Sequence, residues 1–395
     1  MPAKDRWLLP EGVEEMLPDE ARRLEAMRRR VLDLFDSWGY ELVMPPLIEY
    51  LESLLTGISQ DLDLQTFKVT DHQTGRLMGV RPDMTPQAAR IDAHYLKREV
   101  PVRLCYAGPV LRTRPDEFGG SREPIQIGAE LFGHGGPESD AEILNLMIAT
   151  LRLIGIGEPH FDLGHVGVFR GLAEQAKLNA GQEAELFEAL QRKARNEVEQ
   201  LLDASKVAAS SRKMLLALLD LAGGAEVLAD ARKRLKAAPT SVMRALDNLQ
   251  KVAQFAAAQP NAPVLHFDLA ELSGYHYYTG MVFSAFVPGH GRAVAKGGRY
   301  DGIGRAFGRD RAATGFGADL RQLLRLVPNA DVRCSGILAP YTDDADLLKE
   351  ISRLRSSGER VVVRLPGGNK MPASGLGCDR ELVKKSGRWT VENSK

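Results

Sequence analysis

The segment PIQIGAELFG (124–133) carries the side chains best suited to bind a small molecule. Read as a strand, its two-residue period puts Gln126, Gly128, Glu130 and Phe132 on one face and mainly aliphatic residues on the other. Gln126 and Glu130 offer hydrogen-bond acceptors and a negative charge, and Gly128 leaves room for a ligand. The pattern is typical of two structures: an ordinary half-exposed strand, or the floor of a pocket for a polar, partly cationic molecule.

Aromatic side chains are concentrated in SGYHYYTGMVF (273–283), where three tyrosines and one histidine occupy residues 275–278. A strand that packs its rings against its neighbours explains this run as well as a binding site does, because aromatic residues favour strands. Farther along, KGGRYD (296–301) indicates a tight turn at its two glycines.

Motifs that identify several common enzyme classes are absent. The sequence has no GxxxxGK[ST], no GxGxxG after a strand, no HExxH and no GxSxG. It therefore does not support a P-loop NTPase, a Rossmann dehydrogenase, a zinc protease or a serine hydrolase. The eight histidines are scattered without metal-ligand spacing. We expect neither a metal site nor a cofactor.

Composition limits the partners and the compartment. The chain of 395 residues has 52 Lys and Arg against 52 Asp and Glu, so its formal net charge is zero and nucleic acid is not an expected partner. Cys105, Cys334 and Cys378 lie far apart without CxxC spacing, which indicates reduced thiols. Neither a signal peptide nor an apolar run long enough for a membrane span is evident, so we expect a soluble, cytoplasmic protein.

Hydrophobic periodicity predicts the elements that must position these residues. Residues 19–38 have the spacing of an amphipathic helix, and VRLCYAGPVLR with PIQIGAELFG predicts a long antiparallel hairpin. From residue 166 to 260 the sequence is a succession of helix-forming stretches, after which strands resume. The C-terminal part reads as strand, helix, strand and a Gly/Pro/Lys loop.

At 395 residues the chain has room for two to three domains. We predict an α+β fold with three parts, which are a core domain (1–165 and 261–328), a helical insertion (166–260) and a short C-terminal α/β unit (329–395).

Several segments, taken in order, resemble class II histidyl-tRNA synthetases along about the first 325 residues. They are YELVMPPLIEY, RPDMTPQAAR, YAGPVLRTRPDEFGGSREPIQIGAELFG, SGYHYYTGMVF, KGGRYD and TGFGADLRQLL. The first is similar to the dimer-interface motif one of that class, the third to motif two and the last to motif three. The resemblance implies a six-stranded antiparallel sheet flanked by helices, in a homodimer.

The catalytic cations of that family are missing from this chain. Motif three of the synthetases ends in a Glu-Arg pair whose arginine lies against the ATP phosphates, whereas Arg321-Gln322 stands here. Ser273 replaces the arginine of the family's Arg-Gly-Leu-Asp-Tyr-Tyr segment, and motif two keeps Arg112 but is one residue shorter. Because charge on the transferring phosphate needs cations, we expect no aminoacylation, with Arg112 as a possible remnant of an anion or nucleotide site.

The amino-acid pocket of the synthetases is better preserved. By resemblance, the histidine-binding residues are Asp83, Thr85, Gln126, Glu130, Tyr277 and Tyr278. Asp83 stands where the family has a glutamate, so the side chain that carries the carboxylate toward the amino group of histidine is one methylene shorter. Gln126 and Glu130 are the residues that strand alternation also selects.

The chain keeps the residues that bind histidine, lacks those that activate it, and has a short C-terminal unit. In this combination it resembles the synthetase paralogues that serve as regulatory subunits of ATP phosphoribosyltransferase. The resemblance implies a subunit without a catalytic centre, which assembles with the short-form catalytic subunit in the first step of histidine biosynthesis and mediates feedback inhibition by histidine. Two alternatives remain open at this point, a divergent histidyl-tRNA synthetase and an RNA-binding or translation-sensing paralogue of the synthetases.

Overall fold

The computed structural model describes residues 7–56, 60–115, 120–260, 262–271, 274–275, 277–328, 335–367 and 372–394. The chain divides into two compact units, Met1–Val327 and Pro328–Lys395. The finer predicted boundaries, with a helical insertion over 166–260, stay a prediction. Within the described ranges, no helix combines the length and the apolar character needed to cross a membrane.

The predicted first helix is present as α1 (Pro18–Ser37). It begins with a proline at its first position and acidic residues in its first turn, both favourable at a helix N-terminus. Gly39, with a positive φ of 81°, follows its end. Its buried face consists of Leu24, Met27, Val31 and Phe35.

Short strands and helices lead from α1 into the predicted hairpin. In chain order they are β1 (Glu41–Leu42), β2 (Ile48–Tyr50), α2 (Leu51–Leu54), α3 (Gln60–Gln65), β3 (Phe67–Thr70), β4 (Leu77–Val80), α4 (Thr85–Arg90), a π-helical turn (Ile91–Leu96), β5 (Val102–Pro109), β6 (Ile125–Phe132), α5 (Pro137–Ile154) and β7 (His160–His165). Strands β2, β4 and β3 form a small antiparallel sheet. β5 and β6 pair antiparallel, which confirms the hairpin.

Residues 166–260 are helical, as their composition predicts. The elements are α6 (Val166–Gln175), α7 (Ala180–Gln191), α8 (Arg195–Ala204), α9 (Ala209–Ala217), a 3-10 turn (Leu218–Asp220), β8 (Ala222–Gly223), α10 (Glu226–Arg234) and α11 (Thr240–Ala257). Asn179 and Gln182 form a reciprocal capping box at the start of α7. α11 packs on α5 and α6 and joins these helices to the rest of the unit.

The first unit ends with β9 (Leu265–Asp268), β10 (Met281–Phe286), β11 (Ala293–Arg299), α12 (Ile303–Ala306), β12 (Ala313–Asp319) and α13 (Leu320–Leu326). The expected turn at Gly297 and Gly298 is wrong, because both glycines belong to β11. A Cβ at Gly297 would lie 2.5 Å from the Phe283 ring, and one at Gly298 would lie 2.9 Å from the Tyr278 ring. The two glycines therefore leave room for one aromatic ring on each face of β11.

The central sheet is larger than predicted. Among the described residues, nine strands pair in the order β1-β5-β6-β12-β11-β10-β7-β9-β8. The six from β5 to β7 are antiparallel to one another, as expected. The purely antiparallel, six-stranded expectation is wrong at both edges, since β1 pairs parallel with β5 and β9 pairs parallel with β7. The edge strands are short or follow long connections, so no local sequence pattern predicts their pairing.

Two hydrophobic clusters lie on opposite faces of this sheet. Ile127, Ala129 and Leu131 of β6 belong to the larger cluster, which includes the buried residues of α1 and α5. Phe132 belongs to the smaller cluster with Tyr106 and Tyr300. The alternation predicted for β6 is therefore confirmed.

In its described residues, 335–367 and 372–394, the second unit is a four-stranded sheet with one α-helix. Its elements are β13 (Ile337–Ala339), α14 (Ala345–Ser356), β14 (Val361–Val363), a 3-10 turn (Ala373–Leu376), β15 (Arg380–Lys385) and β16 (Arg388–Asn393). The strand order is β14-β13-β15-β16, with β13 parallel to both neighbours. Strand, helix and strand were predicted; the hairpin of β15 and β16 was not.

Candidate functional site

Glu130 lies at the centre of the candidate site, on β6, and is only 1% exposed. Its neighbour on β12 is Gly315, and a Cβ there would fall 1.6 Å from Glu130 Oε2. Gly128 has a similar role, since its Cβ would lie 2.4 Å from the Tyr106 hydroxyl oxygen. These two glycines leave the space that the carboxylate and the phenol occupy.

Two tyrosine hydroxyls donate hydrogen bonds to the Glu130 carboxylate. Tyr106 donates to Oε1 at 2.7 Å, and Tyr300 donates a short bond to Oε2. Burial raises the pKa of the Glu130 carboxyl to about 8, although both phenolic hydrogen bonds oppose that shift. A carboxyl group with this pKa can gain or lose a proton near neutral pH.

Asp83, Thr85 and Gln126 form one hydrogen-bonded group beside Glu130. Asp83 Oδ1 accepts from the Thr85 backbone N–H at 2.7 Å and from Gln126 Nε2 at 3.1 Å. Gln126 Oε1 in turn accepts from the Met84 N–H at 2.9 Å. Thr85 Oγ1 lies 2.9 Å from the Tyr106 hydroxyl, so the network is continuous from Asp83 to Glu130.

Tyr277 and Tyr278 lie in a turn before β10, not in a strand. The Tyr277 ring stacks on Tyr300 with centroids 5.1 Å apart and meets the Tyr278 ring edge-on at 5.1 Å. Among the described residues the buried Tyr277 hydroxyl has no hydrogen-bond partner, which a ligand could supply. Ser273 and His276 of the same segment are outside the described residues.

A cavity of about 970 Å³ opens above these side chains. All six predicted histidine-binding residues line it, and so do Arg112 and Gln322. Arg112 Nε donates to the Pro82 carbonyl at 3.2 Å. Gln322 Nε2 lies 2.9 Å from His290 Nε2. The position where the resemblance expects a phosphate-binding arginine thus carries an amide paired with an imidazole.

Four acidic residues line the cavity, namely Asp83, Glu130, Glu271 and Asp319, together with tyrosine and threonine hydroxyls and several glycines. Such a site can hold a small molecule that has a cationic amine and a second nitrogen donor. Tyr300 lines the cavity and Tyr106 donates a hydrogen bond to Glu130, yet sequence reasoning selected neither tyrosine. Alternation within VRLCYAGP would have placed Tyr106 on one face with Gly108, and Tyr300 lies two residues after Gly298 in KGGRYD.

The first unit matches the family model described as histidyl-tRNA synthetase over residues 12–323. Its fold is similar to a crystal structure titled ATP phosphoribosyltransferase regulatory subunit/histidyl-tRNA synthetase from Bacillus halodurans, with a TM-score of 0.83, 28% identity and coverage of 94% of this chain and 96% of that chain. Histidyl-tRNA synthetase from Nostoc, at 18% identity and a TM-score of 0.79 over 98% and 97% of the two chains, supports the fold alone.

The second unit and the full-length relatives are more specific. Residues 334–392 match the model described as ATP phosphoribosyltransferase subunit HisZ C-terminal domain. The ATP phosphoribosyltransferase regulatory subunit of Alkalilimnicola ehrlichii is 56% identical over 386 residues, which cover 97% of this chain and 96% of that protein. The subunit of the same name from Pseudomonas entomophila is 55% identical over 394 residues, 99% of each chain. The chain therefore belongs to the family of ATP phosphoribosyltransferase regulatory subunits.

Proposed function

We propose that this chain is the histidine-sensing, non-catalytic subunit of an ATP phosphoribosyltransferase complex, in which it supports the short-form catalytic subunit in the first step of histidine biosynthesis. The observation that carries the proposal is the buried network from Asp83 to Glu130 within a chain more than half identical to named regulatory subunits.

Histidine matches this network group by group. Its ammonium fits Asp83, whose Oδ1 is already held by Thr85 and Gln126 and so is fixed in position. Its imidazole fits Glu130, because a carboxyl with a pKa of about 8 and an imidazole can share one proton. The Tyr277 hydroxyl, which has no hydrogen-bond partner within the described part of the chain, supplies one more polar contact.

Retained binding does not imply retained activation of the amino acid. Attack of a carboxylate on ATP places negative charge on the α-phosphate, which arginines in synthetases stabilise. Gln322 is neutral and is engaged with His290. Arg112 remains in the cavity as a possible remnant of a nucleotide site. These features support a receptor over the alternative of a divergent synthetase.

Inhibition requires that histidine bind the less active state of the complex more tightly than the active state. Tyr275 offers a path, since it precedes the Tyr277–Tyr278 pair and packs between Phe169 of α6 and Phe187 of α7. Its hydroxyl donates to Glu183 of α7. Movement of the tyrosine turn on histidine binding would thus change how the helices of residues 166–260 pack.

A surface for self-association is available beside β1 and β2. Leu42, Met44, Leu47 and Ile48 are exposed large apolar side chains in the segment that resembles the dimer-interface motif, and Met44 is 81% exposed. Because apolar side chains clustered on a surface favour protein contacts, we assign homodimerisation to this segment.

The expected surroundings of the chain are also part of the proposal. The zero formal charge fits a protein that does not bind nucleic acid. The two described cysteines, Cys105 and Cys378, are buried thiols, which suits the reducing cytoplasm.

Two measurements on the purified chain test this function. Isothermal titration calorimetry should detect binding of L-histidine, and Glu130→Ala should weaken it by about tenfold or more, since a charge-assisted hydrogen bond contributes roughly 1.5–3 kcal/mol. Histidine-dependent exchange of pyrophosphate into ATP should not exceed a no-protein control. Clear exchange would identify a working synthetase, and absent histidine binding would remove the sensing role.

A further inference from the structure

Lys296 is a lysine in the middle of the central sheet. It lies on β11 directly opposite Ser284 of β10 and Gly317 of β12, and Gly317 in turn lies opposite Gly128 of β6. Residues directly opposite one another point to the same face of a sheet. Lys296 therefore shares the face that holds Gln126 and Glu130, and it lines the same cavity.

The burial pattern of β11 agrees with this direction. Lys296 is exposed while its two neighbours, Ala295 and Gly297, are buried. Among the described residues, no hydrogen bond or ion pair engages the Lys296 ammonium group. The exposed ammonium group faces the cavity without an anion from the described part of the protein beside it, so it is available to a negatively charged group of a ligand.

The shape of the floor shows where such a partner can lie. On the β5 side of Gly128, the Tyr106 ring occupies the space, because its hydroxyl lies 2.4 Å from the position of a Gly128 Cβ. On the other side, a Cβ at Gly317 would meet no atom closer than 3.5 Å. Neighbouring strands are about 4.8 Å apart, so Lys296 lies one strand from Gly317 and two from Gly128.

We infer that Lys296 binds the α-carboxylate of histidine across the open floor at Gly317 and thereby makes the pocket selective for the amino acid. This inference rests on the proposed function, in which Asp83 takes the ammonium and Glu130 the imidazole. The α-carboxylate of histidine then extends over Gly317 toward Lys296, because the Tyr106 ring fills the space on the β5 side of Gly128.

Other cations that line the cavity are less well placed. Arg325 forms an ion pair with Glu14. Arg292 precedes β11 and lies four residues before Lys296. Glu130 is level with Gly298, which follows Lys296, so Arg292 is farther from Glu130 along the strand direction than Lys296 is. Arg112 donates to the Pro82 carbonyl and is the cation to compare experimentally with Lys296.

Calorimetry with three ligands tests the assignment on the purified full-length chain. L-Histidine has the carboxylate, L-histidinol has an alcohol in its place, and histamine lacks the group. The wild-type chain should prefer histidine over histidinol by about tenfold to a hundredfold. Lys296→Met, which keeps an unbranched apolar stem, should remove this preference by weakening histidine alone. Lys296→Arg should keep the preference.

Each alternative outcome has a definite meaning. If Lys296→Met still prefers histidine as the wild type does, or if it loses histidinol as well, the carboxylate assignment is wrong. If Arg112→Met abolishes the preference while Lys296→Met keeps it, Arg112 holds the carboxylate. A wild-type chain that binds histidine and histidinol equally contradicts the role of Lys296 but not the proposed function, whereas one that binds neither contradicts the proposed function itself.

Discussion

Gly315 on β12 lies directly opposite Glu130 on β6. Because glycine has no side chain, the Glu130 carboxylate occupies the space that a Cβ at position 315 would fill. The acid therefore depends on a residue almost two hundred positions away in the sequence. The hydroxyls of Tyr106 and Tyr300 then fix the two carboxylate oxygens, so the proposed ligand-binding carboxylate on one strand is positioned by three other segments.

The first prediction concerns this space. Gly315→Ala should displace Glu130 and weaken histidine binding at least tenfold, with a loss of about 1–3 kcal/mol in the free energy of unfolding from overpacking. Gly302→Ala is the matched control, since a Cβ there meets nothing within 4 Å. Calorimetry and urea denaturation measure the two effects. Normal histidine affinity in Gly315→Ala would show that Glu130 does not bind the ligand from this position.

The second prediction is a pH dependence. The pKa of Glu130 is raised to about 8 in the folded protein because of burial, so the folded state holds this proton more tightly than the unfolded chain. The resulting stabilisation is complete below the ordinary carboxyl pKa of about 4.5 and is lost as pH rises to about 8. Relative to Glu130→Gln, the wild type should lose up to about 1.4 kcal/mol per pH unit in that window.

Urea denaturation of the ligand-free wild-type and Glu130→Gln chains at several pH values from 5 to 9 measures this difference, because most other titrating groups cancel. A difference in unfolding free energy that stays constant over the whole range would mean that Glu130 keeps an ordinary pKa in the fold.

The third prediction concerns Tyr277. Its buried hydroxyl has no partner among the described residues, so removing that hydroxyl should relieve a cost in the empty protein and lose a contact in the bound one. Tyr277→Phe should keep or slightly raise the melting temperature and should weaken histidine binding about threefold to tenfold. Tyr95→Phe, at a 72% exposed tyrosine, is the control. Unchanged affinity together with lower stability would indicate a purely structural hydroxyl.

The fourth prediction separates sensing from transmission. Tyr275→Phe removes the hydrogen bond to Glu183 of α7 but leaves the cavity residues in place. Histidine affinity of the isolated chain should stay within about twofold, whereas the maximal inhibition of the assembled complex should fall. Full inhibition with normal affinity would show that the signal does not pass through α7.

Local patterns predicted those parts of the site that lie within single segments. Alternation along β6 selected Gln126 and Glu130 and the face on which they lie. Tyr106, Tyr300 and Lys296 were not selected, because their roles depend on which strands become neighbours. β6 pairs with β5 and β12, and β12 pairs with β11; a single sequence does not show this order.

The limits of the fold prediction have similar causes. Two-residue strands such as β1 and β8 are too short for a periodic pattern, so the extent of the central sheet was underestimated. For the hairpin of β15 and β16 a signal did exist. Ser386 and Gly387 both have positive φ angles, 47° and 79°, and a Ser-Gly pair between two alternating segments is typical of a tight hairpin turn.

The central claim is that histidine inhibits the transferase complex through this pocket, and inhibition curves of the reconstituted complex test it most directly. The wild-type chain, Gln126→Ala and the exposed control Gln254→Ala are each mixed with the short-form catalytic subunit, and phosphoribosyl transfer is assayed against histidine concentration. Gln126 holds Asp83 in place. Gln126→Ala should therefore assemble and support normal uninhibited activity, while its curve moves to about tenfold higher histidine. Overlaying curves for all three complexes would contradict the claim and place the histidine site elsewhere.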